Sequence, residues 1–105
     1  MATIRLTMAQ ALVRYLAAQQ TECDGRPMAL FGGVWAIFGH GNVAGMGEAL
    51  HAHRASLPTY RAHNEQAMTL AAIAYAKALH RRRMMACTTS IGPGATNMIT
   101  AAAVA

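Results

Sequence analysis

Glu65 is the residue of this 105-residue chain whose type and position most favour acid–base chemistry. The sequence contains only four acidic residues, which are Glu22, Asp24, Glu48 and Glu65. Of these, Glu65 stands at the predicted start of an alanine-rich helix, directly after a polar loop. A carboxyl group held in an apolar site is suited to acid–base work. The alternative interpretation is a first-turn glutamate that only favours the helix dipole.

Two glycine-rich segments could bind a ligand. Residues 39–44, Gly-His-Gly-Asn-Val-Ala, fit the pattern G-x-G-x-x-A, and Glu65 follows about 20 residues later, as in dinucleotide-binding folds. Residues 92–97, Gly-Pro-Gly-Ala-Thr-Asn, would place backbone N–H groups at a helix N-terminus, where an anion can bind. The second segment lacks the lysine of a P-loop. A plain turn that needs glycine is the simpler explanation of both segments; a ligand loop stays open for each, and a dinucleotide site for the first.

The remaining reactive residue types form no known site motif. The five histidines show no metal-ligand spacing, and His51 and His53 do not share a helix face. Without an H-E-x-x-H motif or a Cys/His cluster, we expect no metal site built by this chain. Cys23 and Cys87 are far apart and form no C-x-x-C pair, which favours a reduced, cytoplasmic protein. No serine stands in a G-x-S-x-G frame.

Helices and strands alternate along the chain and must position these residues. Helical spacing predicts four helices, over residues 7–20, 43–52, 65–80 and 95–105. Short apolar segments predict three buried strands, over residues 34–38, 57–62 and 84–89. Residues 21–27 are predicted to form a polar turn, and Thr7 with Gln10 fits a capping box. This order predicts βαβ units, and therefore an α/β fold with a parallel sheet flanked by helices.

The loops that follow the three strands hold the candidate residues. They are residues 39–42, 63–66 and 90–97, all of them rich in glycine and polar residues. Ligands bind outside the carboxyl ends of the strands in open parallel sheets, so we expect these loops to converge on one site. Three strands are too few to cover the helices, and the last helix has no stop signal. We therefore expect the front part of a larger domain, truncated at its C-terminus.

Composition and charge exclude several classes of protein. The chain is 54% hydrophobic and only 12% charged, which is incompatible with intrinsic disorder. Its net charge is +5, but the only basic cluster, Arg81 to Arg83, is explained as a helix C-terminal turn. We therefore expect no nucleic-acid partner. Proline and glycine interrupt both charge-poor stretches, 27–47 and 84–105, so we expect no membrane span.

Three features in this order resemble the N-terminal pyrimidine-binding domain of thiamine-diphosphate enzymes such as acetolactate synthase. They are a strand that ends in a glycine turn, Asn-Glu-Gln at 64–66, and Thr-Ser-Ile-Gly-Pro-Gly-Ala-Thr-Asn at 89–97. The turn Phe-Gly-His-Gly-Asn at 38–42 departs from the Pro-Gly-Gly of acetolactate synthase, and Asn replaces His before the glutamate. These two differences, together with Ile-Arg-Leu-Thr at 4–7 and the arginine pair at 81–82, are similar to the sequence pattern of a narrower family. This family is the trihydroxycyclohexanedione hydrolases of myo-inositol catabolism.

This resemblance implies a thiamine-diphosphate-dependent hydrolase that cleaves a C–C bond of a cyclic dione and yields 5-deoxy-glucuronate. Glu65 would be the catalytic residue, because its carboxyl group would hydrogen-bond N1′ of the aminopyrimidine of the cofactor. Gly92 and Asn97 would also bind the cofactor. The loop after the first strand would face the substrate or the cofactor through Gly39, His40, Gly41 and Asn42.

The resemblance also implies parts of the enzyme that lie outside these residues. Residues 1–105 would be the N-terminal part of the pyrimidine-binding domain, with the middle and diphosphate-binding domains absent. Mg²⁺ would belong to the absent diphosphate-binding domain. The full-length protein would be a cytoplasmic homodimer or homotetramer with its active site at a subunit interface, and the chain alone would be inactive. Two alternatives stay open: an acetolactate-synthase-like enzyme acting on 2-oxo acids, and a non-catalytic nucleotide-binding module.

Overall fold

A parallel three-stranded sheet with helices packed against it forms the centre of the computed structural model, which describes all 105 residues. The elements follow in the order α1 (Met8–Ala18), β1 (Gln20–Cys23), β2 (Arg26–Ala29), β3 (Phe31–Ala36), α2 (Glu48–Ala52), β4 (Thr59–Tyr60), α3 (Glu65–Ala78), β5 (Met84–Thr88) and α4 (Pro93–Ala102). β3 is the central strand and pairs in parallel with both β4 and β5, which confirms the predicted α/β class. None of the helices combines the length and apolarity needed to cross a membrane.

The buried core lies between β3 and the helices α1 and α2. Six buried aliphatic side chains form it: Val13, Val34, Ala36, Ala49, Leu50 and Leu57. Val34 and Ala36 lie two residues apart and therefore point to the same face of β3. Burying a Val or Leu side chain contributes about 1.5–3 kcal/mol. This packing fixes β3 and, with it, the start of the loop that follows.

Side-chain caps fix where the first and third helices begin. At α1, Thr7 Oγ1 accepts from the backbone N–H of Gln10 at 3.2 Å, and Gln10 Oε1 accepts from the N–H of Thr7 at 2.9 Å. The predicted capping box is therefore confirmed. At α3, Asn64 Oδ1 accepts from the N–H of Ala67 at 2.8 Å. Such a cap is worth about 1 kcal/mol, and this one makes Glu65 the first residue of α3.

The segment predicted as a polar turn, residues 21–27, is instead part of an antiparallel hairpin. β1 and β2 pair from Gln20 with Ala29 to Cys23 with Arg26. The turn consists of Asp24 and Gly25, both with positive φ, at 54° and 77°. Two successive positive φ angles are typical of a type I′ turn, whose twist matches that of the flanking strands. The prediction was wrong because both strands are short and largely exposed, so they carry no clear apolar alternation.

The helix predicted over residues 43–52 is a composite. A 3₁₀ turn at His40–Asn42 leads into a π-helical turn at Val43–Gly47, and α2 follows. Gly45 and Gly47 lie in the π-helical part, where the weak helix propensity of glycine allows the irregular geometry. The helical run therefore begins inside the glycine loop.

Further boundaries differ from the prediction, and the first strand spans Phe31–Ala36 instead of residues 34–38. The second strand is limited to Thr59–Tyr60 because only these residues pair with β3. The last helix begins at Pro93, two residues before Ala95, and ends at Ala102. Proline is favoured in the first turn of a helix, because its fixed φ suits the helix and its missing N–H would have no partner there.

The three arginines at 81–83 follow the end of α3, and the backbone N–H of Arg81 still donates to the carbonyl oxygen of Ala76 at 2.7 Å. The predicted helix C-terminal turn therefore holds for Arg81 and is wrong for Arg82 and Arg83. Arg83 donates to the carbonyl oxygens of Ala29 at 2.8 Å and Phe31 at 3.3 Å. Arg82 lies 3.3 Å from Cys23 Sγ. These bonds tie the hairpin to the start of β5.

Candidate functional site

The loops after β3 and β5 are joined by side-chain hydrogen bonds at the carboxyl edge of the sheet. Asn42 Nδ2 donates to the carbonyl oxygen of Thr89 at 2.9 Å. His40 Nδ1 lies 3.0 Å from Ser90 Oγ. Parallel pairing of β3 with β5 brings these residues together although nearly 50 positions separate them in the sequence. The expected convergence of the two loops is therefore present in the structure.

Glu65 joins the third loop to the same edge. It is half-buried at the start of α3, and its Oε2 accepts a hydrogen bond from Asn97 Nδ2 at 3.2 Å. Its other carboxyl oxygen, Oε1, faces Gly94, where a Cβ would stand only 2.8 Å away. Real Cβ atoms do not approach this closely, so the carboxyl group occupies space that any other residue at 94 would fill. Both partners of Glu65 come from α4.

An open groove of about 610 Å³ lies beside this carboxyl group. No large apolar side chain lines it, and its walls are formed by Glu65, Pro93, Gly94, Thr96, Asn97 and Thr100. The N-terminus of α4 forms one side of the groove. A carboxyl oxygen at its wall can exchange a proton or a hydrogen bond with a polar ring placed in the groove. A larger cavity of about 710 Å³ lies between α1 and α2, away from these residues.

The loop after β3 has close contacts with Ser90 and an unusual backbone. A Cβ at Gly39 would stand 2.7 Å from Ser90 Oγ, so the two segments touch there. His40 has a φ of 48°, which is uncommon for a residue other than glycine. Gly41 has open space around it. The contact with Ser90 therefore holds this loop at Gly39 and His40, and Gly41 takes no part in that contact.

The structure brings some of the predicted site residues together at this edge of the sheet and leaves others apart. Glu65 and Asn97 are in direct contact, whereas Gly92 is exposed, has a φ of 60° and does not line the groove. Gly94 and Thr89, which border the carboxyl group, were not among the predicted site residues. The second glycine of Gly-Pro-Gly was the available signal for Gly94, because a repeated glycine at a helix start indicates a close approach.

Cys87 on β5 and Thr69 on α3 lie next to each other, and Thr69 is one helical turn after Glu65. Burial raises the pKa of the Cys87 thiol, and a hydrogen bond with the Thr69 side chain opposes part of that effect. Thr69 Oγ1 also donates to the backbone carbonyl of Glu65 at 2.9 Å. The chain contains no group of three His, Cys, Asp or Glu side chains placed to hold a metal ion.

Comparison with known proteins assigns most of this fold to one family model. Residues 32–105 match the model described as thiamine pyrophosphate enzyme, N-terminal TPP binding domain. The match begins in β3 and includes all three loops at the carboxyl edge of the sheet. It excludes α1 and the hairpin.

Curated relatives match the chain over its entire length. It is 51% identical to proteins named 3D-(3,5/4)-trihydroxycyclohexane-1,2-dione hydrolase from Bacillus thuringiensis (strain Al Hakam), Bacillus cereus (strain 03BB102) and Bacillus anthracis (strain A0248). The chain spans 16% of the length of each of these relatives. No solved structure matches it.

Proposed function

Because the chain belongs to the thiamine pyrophosphate enzyme family through its N-terminal TPP-binding domain, we propose that it is the N-terminal part of the pyrimidine-binding domain of a thiamine-diphosphate-dependent hydrolase. The proposed substrate is 3D-(3,5/4)-trihydroxycyclohexane-1,2-dione, the compound in the name of relatives that are 51% identical. The proposed reaction is hydrolytic cleavage of a C–C bond of this cyclic dione, yielding 5-deoxy-glucuronate. The observation that carries the proposal is the Glu65 carboxyl group against Gly94 at the groove.

The residues of this groove fit the pyrimidine half of the cofactor. The absence of a Cβ at Gly94 leaves room for the Glu65 carboxyl group, and the groove beside it is polar and open. A carboxyl oxygen is the type of group that can bond a ring nitrogen such as N1′. Asn97 holds the other carboxyl oxygen at 3.2 Å, which limits rotation of the group.

In the proposed mechanism Glu65 holds a proton in a hydrogen bond with N1′ of the bound aminopyrimidine. Asn97 keeps the carboxyl plane oriented toward the ring, and the cap by Asn64 keeps Glu65 at the start of α3. Orientation of this kind contributes to catalysis because a misplaced group loses much of its effect. When bound, the cofactor supplies the electron sink for C–C cleavage.

The loop after β3 supplies the proposed substrate side of the site. His40 and Asn42 are both held by the β5–α4 loop, through Ser90 and the carbonyl of Thr89. With Nδ1 engaged by Ser90, His40 has Nε2 left to bond a hydroxyl or carbonyl group of a polyol-derived dione. We propose that this loop, from Gly39 to Asn42, contacts the small-molecule substrate.

Other parts of the proposed enzyme lie outside residues 1–105. The middle and diphosphate-binding domains would belong to the rest of a longer polypeptide, and Mg²⁺ would be held there with the diphosphate. Glu65 would then serve a cofactor held largely by another subunit, so we propose a homodimer or homotetramer acting in the cytoplasm. The 105 residues alone would show no turnover.

The test of this function is Glu65→Gln in the full-length protein that contains this chain. We expect turnover of the dione to fall by on the order of 10²-fold or more, because glutamine cannot exchange the proton. Glu48→Gln is the matched control, since Glu48 is also the first residue of an α-helix but lies away from the groove. Steady-state turnover with added thiamine diphosphate and Mg²⁺ measures both variants.

Two outcomes would contradict the proposal. Full activity of Glu65→Gln would remove Glu65 from the mechanism. Turnover of a 2-oxo acid such as pyruvate, with none of the cyclic dione, would contradict the proposed substrate and favour an acetolactate-synthase-like enzyme.

A further inference from the structure

Two buried hydroxyl groups in this protein have no hydrogen-bond partner. They are the Oγ1 atoms of Thr59 and Thr89. A buried polar group without a partner destabilises the folded state, and a valine of the same shape would avoid that penalty. Departures from full hydrogen bonding are expected at functional sites. Thr59 lies in β4, whereas Thr89 lies directly after β5 at the candidate site.

The Thr89 hydroxyl borders the same small space as the Glu65 carboxyl group. A Cβ on Gly94 would stand 2.9 Å from Thr89 Oγ1 and 2.8 Å from Glu65 Oε1. The hydrogen bond that the carboxyl group accepts from Asn97 is made at Oε2. A donor without an acceptor and a carboxyl oxygen therefore lie across the gap that the missing Cβ leaves.

Resting on the proposed function, we propose that Thr89 is a positioning residue for Glu65. Its hydroxyl donates to Glu65 Oε1 when the aminopyrimidine occupies the groove, and a small rotation of either side chain across the gap at Gly94 makes this bond. Asn97 and Thr89 then hold the carboxyl group from both oxygens. Thr89 does not line the groove, so it acts on the ring through Glu65.

The backbone of Thr89 is already held in place for this role. Its carbonyl oxygen accepts from Asn42 Nδ2 at 2.9 Å, which ties residue 89 to the loop after β3. Its hydroxyl, by contrast, is buried and has no hydrogen-bond partner. A purely structural threonine would be expected to use its hydroxyl within the fold, as Thr69 does toward the carbonyl of Glu65.

The test compares Thr89→Val with Thr59→Val in the full-length protein. Calorimetric titration with thiamine diphosphate at fixed Mg²⁺ measures affinity, and thermal unfolding without cofactor measures stability. We expect Thr89→Val to weaken binding roughly five- to tenfold while the Tm stays equal or rises. Thr59→Val should leave binding unchanged with the same effect on Tm. Thr89→Ser, which keeps the hydroxyl, should restore the affinity.

A second ligand isolates the contact through Glu65. In a thiamine diphosphate analogue whose pyrimidine N1′ is replaced by carbon, the ring has no nitrogen for Glu65 to bond. Wild type and Thr89→Val should bind this analogue equally. An equal loss with both ligands would show that Thr89 acts other than through Glu65, and would overturn the proposal.

The remaining outcomes are also decisive. Wild-type affinity for thiamine diphosphate in Thr89→Val would overturn the role of Thr89 and leave the proposed function intact. A wild-type protein that does not bind thiamine diphosphate would instead overturn the proposed function. If Thr89→Val fails to fold, Thr89→Ala provides the same comparison, and a Thr89→Ser variant that binds as weakly as Thr89→Ala would contradict the proposal.

Discussion

The turn after β3 and the turn after β5 are both glycine-rich and lie side by side, yet their glycines have different environments. In the second turn, a Cβ at Gly94 would strike the Glu65 carboxyl group at 2.8 Å. In the first, Gly39 contacts only the Ser90 side chain, and Gly41 has open space around it. A glycine motif therefore does not by itself identify a site. What identifies one is the group that occupies the space of the missing Cβ.

Among changes to the two turns, the largest effect is expected for Gly94→Ala in the full-length protein. The new methyl group would displace the Glu65 carboxyl group and crowd Thr89 Oγ1 at 2.9 Å. A displacement of about 1 Å at a reacting group can reduce the rate about 10²-fold, and we expect a loss of that order in turnover. Gly41→Ala is the comparison variant in the first turn: its Cβ would meet nothing within 4 Å, so we expect a smaller loss than for Gly94→Ala.

Turnover and thiamine diphosphate affinity, measured for both variants, test whether the two turns need glycine for different reasons. Equal losses in the two variants would mean that both turns need glycine for the same reason. Unchanged activity of Gly94→Ala would mean that the close approach at Glu65 has no role in catalysis.

The same contrast shows what could be predicted from the sequence. Helices capped by local side chains, such as Thr7 for α1 and Asn64 for α3, were predictable because each cap depends on residues three positions apart. The parallel sheet was predictable from the alternation of strands and helices. The hairpin was not predicted because its strands are short and largely exposed, although the pair Asp24-Gly25 favours a type I′ turn.

The contacts inside the candidate site could not be predicted in the same way. The gap shared by Thr89 and Glu65 depends on how α3, β5 and α4 pack, and residues more than 20 positions apart meet there. The sequence also gives no sign that the Thr89 hydroxyl is buried without a partner. Composition and spacing indicate which residue types are available at an edge, whereas packing decides which of them touch.

A smaller effect than for Gly94 is expected when the second support of the carboxyl group is removed. Asn97→Ala deletes the donor that reaches Glu65 Oε2 at 3.2 Å. Loss of one hydrogen bond to a carboxyl group corresponds to about 1 kcal/mol or slightly more, so turnover should fall roughly five- to tenfold. Steady-state kinetics of the full-length variant measures this. If this variant has wild-type kinetics, the second turn contributes to catalysis only through the space that Gly94 leaves for the Glu65 carboxyl group.

The first turn should tolerate a methyl group better, because its contact is with a movable side chain. Gly39→Ala would bring a Cβ to 2.7 Å from Ser90 Oγ and disturb the contact between Ser90 and His40. We expect a loss of turnover of only a few fold, with much of it recovered in the double variant Gly39→Ala, Ser90→Gly. If the double variant has no higher turnover than Gly39→Ala alone, the loss does not come from the clash with Ser90.

The smallest predicted effect concerns the strand that leads into the second turn. Cys87 on β5 pairs in register with the apolar Trp35 on β3, so only the second strand carries a thiol at this level. Burial raises the pKa of the Cys87 thiol above its ordinary value of 9.0, so the folded state keeps this proton at a pH where the unfolded chain loses it. The resulting stability is fully present below the unfolded pKa and is lost as the pH rises through the folded one.

Denaturant midpoints of the full-length protein, measured from pH ~7 to pH ~10, should therefore fall more steeply for wild type than for Cys87→Ala. Parallel slopes for wild type and Cys87→Ala would show that burial does not raise the pKa of the Cys87 thiol, and that the strands leading into the two turns do not differ in this respect.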